Sequence, residues 1–182
     1  PGGRMQRAAG DEKGGIHELL KRKFVQSKPK IRTFVPTEGR FMKKQALITG
    51  ATSGIGRATA LRLSREGYDI VATGRRAERL EELRHEIEQA GGRCTTLRFD
   101  VRSEEEVRRW LSPLERVDLL VNNAGLAAGL EHIDCGDTAD WDAMIDTNVK
   151  GLLYVTRVVS PKMVAAGGGH IFNIGSIAGT EP

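Results

Sequence analysis

The stretch Ala46-Leu47-Ile48-Thr49-Gly50-Ala51-Thr52-Ser53-Gly54-Ile55-Gly56 decides how this sequence folds. An apolar strand that breaks into glycines and reopens as a helix aims backbone N–H groups and the positive end of a helix dipole at one spot. That arrangement suits a pyrophosphate. Gly50 can make the sharp turn, Gly54 can let the backbone approach a phosphate, and Gly56 can let the following helix pack close to the sheet. Ala51, Thr52, Ser53 and Ile55 complete the candidate phosphate-binding turn. The pattern predicts a helix through 57–63 that stops near Gly67 and a second strand over 68–73, which together close a β-α-β unit.

The end of that second strand carries the next piece of chemistry. About 20 residues past the glycines, a dinucleotide-binding unit of this kind places an acid that accepts hydrogen bonds from the ribose 2′-OH of NAD. Here the place is taken by Gly74-Arg75-Arg76. An acid would repel a 2′-phosphate, whereas guanidinium groups pair with one through a planar fork of donors. Arg75 and Arg76 therefore point to NADP(H) as the expected cofactor, the bland reading being that they simply open a solvated helix over 76–90.

Composition and charge narrow the rest. The formal charge is +4 and is unevenly spread: residues 1–44 hold 12 Lys or Arg against 4 acids, the remainder 16 basic and 20 acidic residues. Residues 1–41 are expected to be a basic extension, disordered or non-native, followed by an NADP-binding domain over 42–182. Ile16, Leu19, Leu20 and Phe24 fall on one face of a basic helix that the pattern allows over 16–25. No apolar run approaches a membrane span. Cys94 and Cys135 lack a partner motif and the histidines lack ligand spacing, so neither a disulfide framework nor a metal site is expected, and a reducing cytoplasm is the default compartment. Asp134, Asp137, Asp140 and Asp142 precede a helical pattern and read as acids that favour a helix dipole rather than as cation ligands.

From Phe41 onward, strand-like and helix-like segments alternate, the signature of a parallel sheet covered on both faces. A third strand is predicted over 93–99, a capping box at Ser103-Glu104-Glu105-Glu106 opening a helix, and a fourth strand over 117–121. One long helix follows, from about Thr138 or Trp141 to Ala166, then a fifth strand over 170–174. Right-handed crossovers make this a doubly wound sheet with its ligand at the carboxyl ends of the strands.

Four motifs in this order carry a resemblance: Thr49 to Gly56, Asn122-Asn123-Ala124-Gly125, Asn148-Val149-Lys150-Gly151 and Gly175-Ser176. Together they resemble the short-chain dehydrogenase/reductase family, over roughly Phe41 to Pro182. In finer detail, Ala72 to Arg76, Asn122 to Ala127, Met144 to Asn148 and His170 to Ser176 look like the NADP-dependent 3-hydroxy acid (serine-type) dehydrogenases. The resemblance implies a Rossmann-like α/β sheet, here truncated after its fifth strand. It further implies that Asp100 accepts from the adenine amino group while the Val101 N–H donates to the ring. On spacing alone, the alternative for Asp100 is a turn or helix-capping residue. Asn123 would contact the cofactor, Ala124 and Gly125 would leave room for it, and Asn122 would brace the sheet. Asn148 would sit where the helix backbone bends to hold a water in a proton relay, its bland alternative being a solvent-facing Asn. Ser176 would hydrogen-bond the substrate carbonyl or its developing alkoxide.

The family's proton donor is the Tyr of a Tyr-x-x-x-Lys pair after that serine, and only Ile177-Ala178-Gly179-Thr180-Glu181-Pro182 follows Ser176. A Tyr of pKa about 10 needs a nearby cation to work near neutrality. The 182 residues are thus expected to be the inactive amino-terminal part of an NADP(H)-dependent oxidoreductase acting on a small alcohol or carbonyl compound such as a 3-hydroxy acid. A homo-oligomer is left open for the parent protein. The alternatives are a non-catalytic dinucleotide-binding module, or a nucleic-acid or membrane binder acting through the basic leader. Neither of those last two partners is expected.

Overall fold

The structure is a computed structural model, and it describes residues 43–129 and 131–176. The expectations for residues 1–41, including the basic helix, lie outside the described residues.

Five strands form one parallel sheet in the order β3-β2-β1-β4-β5: β1 Gln45–Ile48, β2 Asp69–Gly74, β3 Cys94–Arg98, β4 Leu119–Asn122 and β5 His170–Asn173. The helices between them are α1 Gly54–Arg65, α2 Ala77–Gln89, α3 Glu104–Leu111, α4 Thr138–Ile145 and α5 Leu152–Ala165. Alternation along the strands divides the core. Ala46, Ile48, Ile70 and Ala72 face one layer with Leu80, Leu83 and Ile87 of α2. Leu47, Val71 and Leu120 face the other with Val107 and Leu111 of α3 and Val155, Val159 and Met163 of α5. Strands covered on both faces read as continuous apolar runs, which is why Ala46-Leu47-Ile48 shows no polar alternation.

The chain builds β1, β2 and β3 outward in one direction, then returns to place β4 on the opposite side of β1. A reversal of strand order opens a crevice beyond the carboxyl ends of the two strands that flank it. Ile48 of β1 lies beside Val121 of β4, so the glycine turn and the Asn122-to-Gly125 turn emerge side by side.

Three local expectations need correction. The single long helix is broken: α4 passes into a π-helical turn, Asp146–Gly151, before α5 begins. The apolar pattern does not mark the turn, because its buried positions are Thr147 and Gly151 while Ile145 and Val149 are exposed. The capping box is half formed. The Ser103 hydroxyl accepts from the Glu106 N–H, but Glu106 Oε2 accepts from the Asp100 N–H at 2.9 Å, while the Ser103 N–H donates to the Asp100 carbonyl. The strand and helix ends also shift by one or two residues, β4 starting at Leu119 rather than Val117. Among the described residues no helix is long and apolar enough to cross a membrane, and no group of three His, Cys, Asp or Glu is placed to hold a metal.

Candidate functional site

Every expected site residue except Ala51 and Gly56 lines one cleft of about 1060 Å³ at the crevice between β1 and β4. Its walls include Gly50, Thr52, Ser53, Gly54 and Ile55 from the glycine turn, Arg75 and Arg76 after β2, and Asp100 and Val101 after β3. Asn123, Ala124 and Gly125 after β4, Asn148 from the π-turn, and Ser176 beyond β5 complete it. Ala51 and Gly56 are buried under the turn and shape it from below.

The glycines are required by distinct constraints. Gly50 and Gly54 have φ of +66° and +54°, a region that costs other residues strain. Open space surrounds Gly54 on the side where a Cβ would sit, as a turn that lets a phosphate approach needs. At Gly56 a Cβ would overlap Asn123 Nδ2 and come within 2.6 Å of the Gly50 carbonyl oxygen. The helix can start against the turn only because that atom is missing.

Thr49, whose role the sequence did not show, is the brace of the crevice. Its buried hydroxyl accepts from the Asn123 and Ala124 N–H groups, both at 3.0 Å. Asn123 answers by donating from Nδ2 to the carbonyls of Thr49 at 2.9 Å and Gly50 at 3.2 Å. Through Nδ2 the side chain ties the two turns together, and the residue also stands in the cleft wall. Asn122 braces the sheet as expected, donating to Asn173 Oδ1 at 2.9 Å and Thr156 Oγ1 at 3.0 Å.

The arginines differ in their partners. Arg75 is exposed and lies 3.7 Å from the Asp100 carboxylate. Arg76 folds over the glycine turn, donating to Thr52 Oγ1 at 2.6 Å and Ser53 Oγ at 2.8 Å. Asp100 also takes Arg102, through its backbone N–H at 3.0 Å and its Nη2 at 2.7 Å. Partial burial works against the Asp100 charge, but these hydrogen bonds and the two guanidinium groups outweigh it and hold the carboxyl below its ordinary range. The turn-residue reading of Asp100 is therefore realised, with its carboxylate still on the cleft wall. By contrast, burial first, and then nearby glutamates, push the Cys94 thiol up to about 12, which leaves it a core residue.

Asn148 is not a solvent-facing side chain without a task. Its Oδ1 accepts from the Leu126 N–H at 2.9 Å and its Nδ2 donates to the Leu126 carbonyl at 2.8 Å. This two-way clasp pins the loop after β4 to the π-turn, and Gly125 lies close enough that a Cβ would sit 3.2 Å from Asn148 Oδ1. Phe99, Leu126, Thr147 and Leu152 also line the cleft without having been foreseen. Nothing in their residue type distinguishes them from core or helix positions.

The comparisons bear on what such a cleft belongs to. The family described as short chain dehydrogenase matches residues 44–182. The chain is 46% identical over 140 residues to the NADP-dependent 3-hydroxy acid dehydrogenase YdfG of Escherichia coli, covering 75% of this chain and 55% of that protein. It is 47% identical over 146 residues to sulfoacetaldehyde reductase 2 of Chromohalobacter salexigens, covering 78% and 58%. Among solved structures, the closed form of serine dehydrogenase complexed with NADP+ superposes with a TM-score of 0.71 at 45% identity, covering 75% of this chain and 56% of that one. The chain thus spans about half the length of the curated relatives it matches. With the crevice built at the strand reversal and the match running through all four of its motifs, the chain belongs to the short-chain dehydrogenase family.

Proposed function

We propose that this chain supplies the NADP(H)-binding half of an oxidoreductase that interconverts a small secondary alcohol and its carbonyl compound, with 3-hydroxy acids as the substrate class. The observation that carries the reading is the wall after β2, where Gly74 stands in place of an acid and Arg75 and Arg76 line the cleft. The donor set fits the group: an open Gly54, a turn held at positive φ by Gly50 and Gly54, and two guanidinium groups on one wall. When bound, the dinucleotide supplies hydride chemistry.

In this reading the glycine turn and the start of α1 hold the pyrophosphate, and Arg75 and Arg76 pair with the 2′-phosphate. Asp100 and the Val101 N–H take the adenine edge. Ala124 and Gly125 keep the floor of the cleft free of side chains, while Asn123 and Thr49 fix its shape. Ser176 polarises the substrate oxygen. Asn148 locks the π-turn against Leu126, and the irregular backbone there holds a water for proton transfer; such bulges are frequent at functional sites. The 3-hydroxy acid class is supported by a relative of that name. A cytoplasmic location belongs to the same proposal and is supported by two free cysteines.

The Tyr-x-x-x-Lys pair is not among these 182 residues, so the chain as it stands is proposed to bind cofactor without turnover. The test compares it with protein expressed from the complete native reading frame, assayed with NADP+ against serine and other short 3-hydroxy acids. Turnover by the native protein and none by the 182-residue chain is expected. Turnover of bulky alcohols alone would overturn the substrate class, and turnover by the short chain that survives Ser176→Ala would overturn the assignment of the site.

A further inference from the structure

Thr52 is the point at which the glycine turn meets the exit of β2. Its hydroxyl accepts from two nitrogens of Arg76, Nη2 at 2.6 Å and Nε at 3.2 Å, and Ser53 Oγ accepts from Nη2 at 2.8 Å. Its methyl group occupies the other side: a Cβ at Gly74 would lie 2.6 Å from Thr52 Cγ2. Thr52 itself is buried.

We propose that Thr52 is a positioning residue that sets dinucleotide specificity, holding Arg76 toward a 2′-phosphate with its hydroxyl while its methyl bars an acid from position 74. The proposal rests on the NADP(H) reading above and adds a second determinant to it. Neutral hydroxyls orient the Arg76 fork without cancelling its charge. Among the described residues no acid pairs with Arg76, in contrast to Arg75, which shares Asp100. A guanidinium held this way is preorganised for an anion. The two functions are coupled by the geometry of one side chain. Threonine is branched at Cβ and has few χ1 wells, so the methyl can leave the space beside Gly74 only by a rotation that takes Oγ1 off Arg76. Replacing Gly74 by an acid, the obvious route to NAD(H), therefore introduces a steric overlap before it introduces a new hydrogen bond.

Calorimetric titration of the 182-residue chain with NADP+ and with NAD+, alongside thermal melting by circular dichroism, tests this. Thr52→Val keeps the methyl and removes the acceptor; it is expected to weaken NADP+ at least about tenfold more than it weakens NAD+. Thr52→Ser restores the acceptor and should restore NADP+. Gly74→Asp is expected to bind NAD+ no better than the unmutated chain, and Gly74→Asp with Thr52→Ser to gain NAD+ affinity at least about tenfold over Gly74→Asp. Should Thr52→Val fail to melt cooperatively, the Gly74→Asp pair decides alone. Equal losses for both dinucleotides in Thr52→Val, or a gain of NAD+ affinity by Gly74→Asp with Thr52 intact, would overturn the interlock while leaving the NADP(H) reading standing. Equal affinities in the unmutated chain would overturn that reading and the interlock with it.

Discussion

β1 and β5 are both four-residue parallel strands whose carboxyl ends open into the same cleft, yet they lie at opposite extremes of burial. Leu47 and Ile48 have no exposed surface, whereas Phe172 is 56% exposed and all four residues of β5 are solvent-facing. β1 pairs on both sides and is covered on both faces; β5 pairs only with β4 among the described residues. The glycine-turn side of the cleft is thus an outgrowth of the packed core. Thr49, Asn123 and Gly56 fix its shape by hydrogen bonds and close approach within that core. The Ser176 side hangs from an edge, and its position depends on a strand that contributes little buried area.

Stability measurements test this contrast. Leu47→Ala removes a fully buried side chain from the central strand and is expected to cost about 2–5 kcal/mol in denaturant unfolding. Asn123→Ala leaves the Thr49 and Gly50 carbonyls without their donor and should cost about 1–3 kcal/mol. A smaller effect follows from Asp100. Its folded carboxyl titrates below the unfolded value of about 3.9, so its contribution to stability is present above that pH and lost as pH falls through the lower folded value. Asp100→Asn should therefore flatten the loss of stability below about pH 4, read from melting temperatures across an acid series. Smallest of all, Phe172→Ala on the exposed edge should change unfolding by less than about 1 kcal/mol. A cost for Phe172→Ala equal to that of Leu47→Ala would erase the distinction between the two strands.

The same contrast explains what was legible in the sequence. The glycine turn, the parallel alternation and the Arg75-Arg76 pair are written in residue types whose backbone or charge requirements are local: positive φ, short side chains, guanidinium groups at a strand end. The brace by Thr49 was not legible, because a hydroxyl at a strand end has many uses and its partners lie more than 70 residues away. A bend at Asn148 came only with the family resemblance, since the buried positions of the π-turn are Thr147 and Gly151 and no apolar pattern marks it. Asn123 was assigned to the cleft and lies in its wall, but only the register of β1 against β4 shows that its amide also donates to the turn carbonyls. Asn148 lies in the cleft wall, and its clasp on Leu126 depends on how the loop after β4 folds back.

The central claim is that the wall after β2 is built for a 2′-phosphate, and the most direct test is the ratio of NAD+ to NADP+ dissociation constants, measured by calorimetry on the unmutated chain and on Arg75→Ala. Loss of a charged, hydrogen-bonded partner costs about 2–5 kcal/mol when desolvated and less at an exposed rim such as this one. The account predicts NADP+ binding at least about tenfold tighter than NAD+ in the unmutated chain, with the preference falling sharply in Arg75→Ala because NADP+ alone is weakened. Equal affinity for the two dinucleotides before mutation, or a parallel loss of both after it, would contradict the account.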